Sequence, residues 1–120
     1  MLNKKLLILF IASVVSLLCL THIPQSEMPV DIGTFNLDKL LHVIAYGSVT
    51  ILMFAALGAK SSLIFWFIAT ALLMVLGGVD EYTQPYVGRT CSLADWLADA
   101  VGIIGAAIVM RVRLKKTVSC

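Results

Sequence analysis

The chain has 120 residues, of which 60% are hydrophobic and 13% charged, with a formal net charge of +2. Soluble domains run about 45–50% apolar and about 25% charged, so this composition, with its mean hydropathy of +0.98, excludes an ordinary soluble globular protein and points to a bilayer as the solvent. The small net charge argues against a nucleic-acid partner, and the length makes one domain over residues 1–120.

A hydrocarbon core about 30 Å thick needs roughly 20 apolar residues in a helix. Four stretches approach this, at about 6–20, 37–57, 63–79 and 93–110. None alternates with period two, and a backbone in lipid must satisfy its own hydrogen bonds, so each is predicted to be a transmembrane helix. The first has the outline of a signal peptide, with Lys4 and Lys5 ahead of a short apolar core. It lacks small residues at cleavage positions after Leu17, and Leu18 precedes Cys19 where a lipoprotein signal wants Gly, Ala or Ser, so it is read as an uncleaved helix. The expected fold is an all-α integral membrane protein, a four-helix bundle.

Basic residues set the orientation. Lys4, Lys5, Lys60, Arg111, Arg113, Lys115 and Lys116 fall on one side of a four-span chain; Lys39 and Arg89 fall on the other, with Glu27, Asp31, Asp38, Asp80 and Glu81. This pattern predicts cytoplasmic termini and outward loops at 21–36 and about 82–92. The connection around Gly58–Ser62 is short enough to make the second and third helices an antiparallel hairpin. Pro24 and Pro29 in the first outer loop and Pro85 in the second oppose helix there. Cys19, Cys91 and Cys120 lie far apart with no C-x-x-C spacing, so no thiolate metal site is expected.

With the helices oriented, the polar residues gather in one layer below the outer surface. The second helix brings Asp38, Lys39, His42 and Tyr46, the last three at spacings that share a face. The third brings Asp80, Glu81 and Gln84, continuing from Gly77, and the following loop brings Arg89. The fourth opens on Ser92, Asp95, Asp99, Gly102 and Ala106, a single stripe at spacings of three and four. Asp99 lies roughly 9 Å in from Leu93 at about 1.5 Å per residue. A carboxylate at such depth is costly and normally faces the bundle interior with a partner; Arg89, Lys39 and His42 are the candidates, and an Arg89–Asp95 or Arg89–Asp99 pair is expected to hold the loop down. The small residues Gly102 and Ala106 predict a close helix contact. Structural readings stand beside these. Ser92 and Asp95 fit a capping box, Asn36 a helix cap, Lys39 a snorkelling side chain, and Tyr46 and Trp96 interfacial anchors, an account favoured for Trp96.

The series Asp38-Lys39-Leu-Leu-His42-x-x-x-Tyr46, Glu81-x-x-Gln84, Arg89-x-x-Ser92-x-x-Asp95 and Gly102, with the Thr21-His22-Ile23-Pro24 exit from the first helix, resembles the VanZ-like membrane proteins over nearly the whole chain. The resemblance implies a bacterial cytoplasmic-membrane protein and a link to glycopeptide resistance, since the founding member is associated with resistance to teicoplanin. The family often carries Asn where this chain has Asp99, which leaves open whether the position needs charge or only polarity.

Several functions fit such a layer. An enzyme acting on a phosphorylated or lipid-linked substrate would use His42 as acid or base, tuned by Asp38 or Glu81, with Asp95 orienting His42 or Arg89. Lys39, Tyr46, Gln84, Arg89, Ser92 and Asp99 would bind the ligand, the cations holding a phosphate or carboxylate. A non-catalytic binder of a lipid or lipid-linked envelope precursor needs the same pocket. A metal site would combine His42 with Asp38, Glu81, Asp95 or Asp99. A purely structural polar staple needs no ligand, and a proton path is disfavoured by the apolar cytoplasmic halves of the helices. The expected partner is a membrane lipid or lipid-linked precursor, with a second copy of the chain as a further candidate; no nucleic acid is expected, and no cofactor or metal ligand set is assigned.

Overall fold

The computed structural model describes residues 2–27, 35–58 and 62–119. Four long helices account for most of them: α1 Lys4–Thr21, α2 Phe35–Leu57, α3 Leu63–Thr83 and α4 Leu93–Ser119. Single 3-10 turns follow α1 at Gln25–Glu27 and α3 at Gln84–Val87, and no strand occurs among the described residues. All four helices are long and apolar enough to cross a membrane.

The helix ends have local causes. Asn3 caps α1 by accepting the Leu6 amide at 3.2 Å, so the helix starts before the apolar run that marks it in the sequence. Gly58, at φ 75°, ends α2 in the left-handed region that glycine tolerates. Ser62 caps α3 through the Phe65 amide. Asn36, expected to cap α2, lies inside its first turn. Pro29, Asp31 and Lys60, used to define the loops and the orientation, lie outside the described residues.

Two helices outrun their expected bounds. α3 continues past Val79 to Thr83, because Asp80, Glu81 and Gln84 are buried inside the bundle and its backbone need not break at the first acid. α4 continues past Met110 to Ser119, carrying Arg111, Arg113, Lys115 and Lys116 on its last turns, where cations favour the negative end of the helix dipole.

The Asn3 amide donates to the Ala56 carbonyl at 2.9 Å, and Arg111 lies over the Trp66 ring at 5.2 Å. The start of α1, the end of α2, the start of α3 and the last turns of α4 therefore share one end of the bundle. Thr21, Lys39, Gln84 and Ser92 mark the opposite end, here the site end.

α4 packs chiefly on α2, α1 on the other side of α2, and α3 on α4. The short connection makes α2 and α3 antiparallel, as expected, but α4 fills most of the space between their backbones. Glycine permits this. A Cβ on Gly102 would collide with the Val43 carbonyl oxygen and sit 3.1 Å from the Gly47 nitrogen. Below the polar layer the core is apolar, with Tyr46, Val49, Phe54, Trp66, Leu73 and Ile103 buried and Phe54 stacked on Trp66 at 3.7 Å between ring centroids. Ile64, Phe67, Leu72, Val75, Val101 and Ile108 are exposed, the apolar exterior expected of helices solvated by lipid.

Candidate functional site

α2 sets the frame, because Lys39, His42 and Tyr46 rise along one face toward α3 and α4. At the rim, Lys39 forms an ion pair with Asp95 of α4 and lies 3.5 Å from Asp38. One turn deeper, His42 Nδ1 meets Asp99 Oδ1 at 2.7 Å, while Nε2 faces Glu81 Oε1 at 3.8 Å. A further turn down, the Tyr46 hydroxyl donates to Asp80 Oδ2 at 3.0 Å. Asp80, Glu81, Asp95 and Asp99 are all buried, as are His42 and Gln84.

Glu81 is held from two directions. Gln84 Nε2 donates to Oε1 at 3.0 Å and the Ser92 amide donates to Oε2 at 3.1 Å. Half of the expected capping box is therefore present. Ser92 Oγ accepts the Asp95 amide at 3.3 Å, but the Ser92 amide turns to Glu81 and the Asp95 carboxylate to Lys39. Gln84, expected to contact a ligand, uses its amide to position Glu81.

Further expectations are corrected. The Arg89 pairs with Asp95 or Asp99 are not made, since Lys39 and His42 already occupy those carboxylates. For the same reason Asp95 pairs with Lys39 and orients neither Arg89 nor His42, whose ring is held by Asp99. Gly88, at φ 77°, turns the chain so that the Arg89 amide donates to the Gln84 carbonyl at 3.2 Å, and the Arg89 side chain lines a cavity. Lys39 is paired, with a side chain only 21% exposed, so it does not snorkel. Trp96 is a link between helices and not an interfacial anchor, because its Nε1 donates to the Met74 carbonyl of α3 at 3.0 Å. Tyr46 is fully buried.

Sequence reasoning placed Asp80 in the layer without giving it a role, and read Thr21 and His22 only as a helix exit. In the structure Thr21 Oγ1 donates to Asp80 Oδ1 at 2.6 Å, so Asp80 gathers α1 and α2 onto α3. His22 Nε2 lies 2.9 Å from Thr83 Oγ1, and its Nδ1 is 3.5 Å from Asp80 Oδ1. The sequence signal was two adjacent polar residues ending an otherwise apolar helix, at the depth of the third helix's acid.

A cavity of about 460 Å³ opens beside this layer. Leu17, Leu20, Leu41 and Ala45 make its aliphatic side, between α1 and α2; Asp38, His42, Tyr46, Glu27 and Arg89 make its polar side. Leu20 and Leu41 are well exposed on the bundle surface, so the aliphatic side borders the lipid-facing exterior. A second cavity of about 520 Å³ lies near the other end, between α3 and α4, lined by apolar side chains with Thr70 and Arg111. It is remote from the carboxylate layer and is not the site built by His42.

Charge favours a cation or a cationic arrangement here. Lys39 is committed to Asp95 and Asp38, which leaves His42 alone facing Glu81 and Asp99, while Asp80 is bonded by the neutral hydroxyls of Thr21 and Tyr46. Burying carboxylates without compensation is strongly unfavourable, so the layer is organised around negative charge and the imidazole is its central switchable group. Comparison with known protein families, curated proteins and solved structures finds no match to this chain. The fold and the site together define a multi-pass helical membrane protein with a buried carboxylate–imidazole layer beside an amphiphilic cavity.

Proposed function

We propose that this chain is a VanZ-like protein of the bacterial cytoplasmic membrane, with cytoplasmic termini and an outward-facing site that binds a lipid or lipid-linked cell-envelope precursor. The observation that carries this reading is the cavity itself. Its aliphatic wall suits an acyl or polyprenyl chain, while Arg89 and His42 on its polar wall suit a charged headgroup. Arg89 forms no ion pair among the described residues, and its guanidinium is suited to bidentate capture of a phosphate or carboxylate. By the family resemblance, the reading extends to reduced glycopeptide access to its target.

The test is mass analysis of lipids co-purified with the wild type and with Arg89→Ala, each supplied with outer-leaflet phospholipids and polyprenyl-linked precursors. Retention of one such species by the wild type and its loss from a folded Arg89→Ala protein support the reading. Equal retention by both proteins overturns it.

A second reading is a membrane-embedded enzyme in which His42 is the acid or base and Glu81 and Asp99 set its orientation. It is favoured by a buried imidazole with a carboxylate at each ring nitrogen, on a cavity wall. Recovery of a chemically altered lipid from the same experiment distinguishes it from simple binding.

A further inference from the structure

The geometry points to a divalent-cation site formed by His42, Glu81 and Asp99 inside the bundle. The three come from three helices, and one ligand atom from each lies within 4.8 Å of the others. All three are buried, so the grouping is an interior construction and not a patch of surface acids. The His42 Nε2–Glu81 Oε1 separation of 3.8 Å is too long for a hydrogen bond. Two ligands each about 2.1 Å from one ion stand roughly 3–3.5 Å apart, close to this gap.

Asp99 Oδ1 lies 2.7 Å from His42 Nδ1, a hydrogen bond that an ion shared by all three side chains replaces. Glu81 is fixed in turn by Gln84 and the Ser92 amide.

A second observation also calls for a cation. Asp99 Oδ2 is buried and has no hydrogen-bond partner, in a residue only 1% exposed. It faces the bare backbone of Gly77, 3.2 Å from the position of a Cβ there. Gly77 stands one turn before Glu81, so the lone oxygen turns toward α3, the helix that supplies the other carboxylate. An unsatisfied buried carboxylate oxygen costs about 1–3 kcal/mol or more, and a bound cation removes that cost. One imidazole with two carboxylates suits a borderline or hard divalent ion such as Mn²⁺ or Zn²⁺. Because His42 also lines the cavity, the ion would lie just behind the wall that faces a ligand.

This inference goes beyond the lipid reading and does not need it. The experiment is a Mn²⁺ titration of the purified full chain in detergent, without a histidine tag, followed by electron paramagnetic resonance. Manganese avoids thiol binding at Cys19, Cys91 and Cys120. The expected result is one Mn²⁺ per chain, at least ten-fold weaker binding in Glu81→Gln and Asp99→Asn, and binding kept within about three-fold in Asp38→Asn. The chain has two histidines, so a His22→Gln protein leaves His42 as the sole imidazole, and bound Mn²⁺ should retain nitrogen coupling from it. This spectroscopic arm decides the matter even if the acidic variants fail to fold. The proposal is overturned if the wild type leaves millimolar Mn²⁺ free, if nitrogen coupling is absent, or if Asp38→Asn loses the ion while Asp99→Asn keeps it.

Discussion

His42 on α2 and Asp99 on α4 meet at 2.7 Å within the most extensive helix contact of the bundle. The pair joins the two helices within the polar layer, between the Lys39–Asp95 ion pair and the Tyr46–Asp80 hydrogen bond. Asp99→Ala would leave the imidazole with Glu81 alone at 3.8 Å, so a loss of about 1–3 kcal/mol is expected. Unfolding in mixed detergent measures it, and Asp99→Asn, which retains an acceptor oxygen, should lose less.

Two glycines that face each other are not equivalent. A Cβ at Gly102 collides with the Val43 carbonyl, whereas a Cβ at Gly47 meets the Gly102 oxygen at an ordinary 3.5 Å. Gly102→Ala should destabilise the fold by about 1–3 kcal/mol through overpacking against rigid backbone. Gly47→Ala should melt close to the wild type. Equal melting temperatures for the two would remove the close α2–α4 approach from the account.

The rim ion pair predicts coupling between residues far apart in sequence. A double-mutant cycle of Lys39→Met with Asp95→Asn should give an interaction energy within about 0.5–3 kcal/mol, because the two side chains are paired. The same cycle of Arg89→Ala with Asp95→Asn should give an interaction near zero. Arg89→Ala alone should leave stability within about 0.5 kcal/mol of wild type, which separates its expected effect on ligand retention from folding.

Asp80 joins helices through neutral donors. Tyr46→Phe removes one donor and Thr21→Val another, and interhelical hydrogen bonds in membranes average about 0.6 kcal/mol with a maximum near 1.7. Each single variant should fall in that range. The double variant should lose more than the sum, since it strips both polar bridges from one buried carboxylate.

The proposed orientation is checked with cysteine labelling. Cys91 is exposed and follows α3 at the site end. In a Cys19→Ser, Cys120→Ser protein, a membrane-impermeant maleimide should label Cys91 in intact cells. In a protein retaining only Cys120, labelling should require permeabilisation. The reverse pattern would invert the topology and place the site in the cytoplasm.

The sequence by itself determined the four helices, because runs of apolar residues this long have no other way to satisfy their backbone in lipid. It also placed the depth of the polar layer, since residue position along a helix converts directly into depth. The stripe of Asp95, Asp99, Gly102 and Ala106 on one face likewise located the close contact of α4. Partner choice was a different matter. Ion pairing depends on which helices adjoin and on side-chain reach across a gap, and neither is encoded in spacing along one helix. Only the tertiary structure decided that α4 packs largely between α2 and α3, because the Gly102–Val43 approach is a fact about two backbones at once. That placement gave Asp95 to Lys39 and Asp99 to His42, freed Arg89 to face the cavity, and brought Thr21 of α1 onto Asp80 of α3.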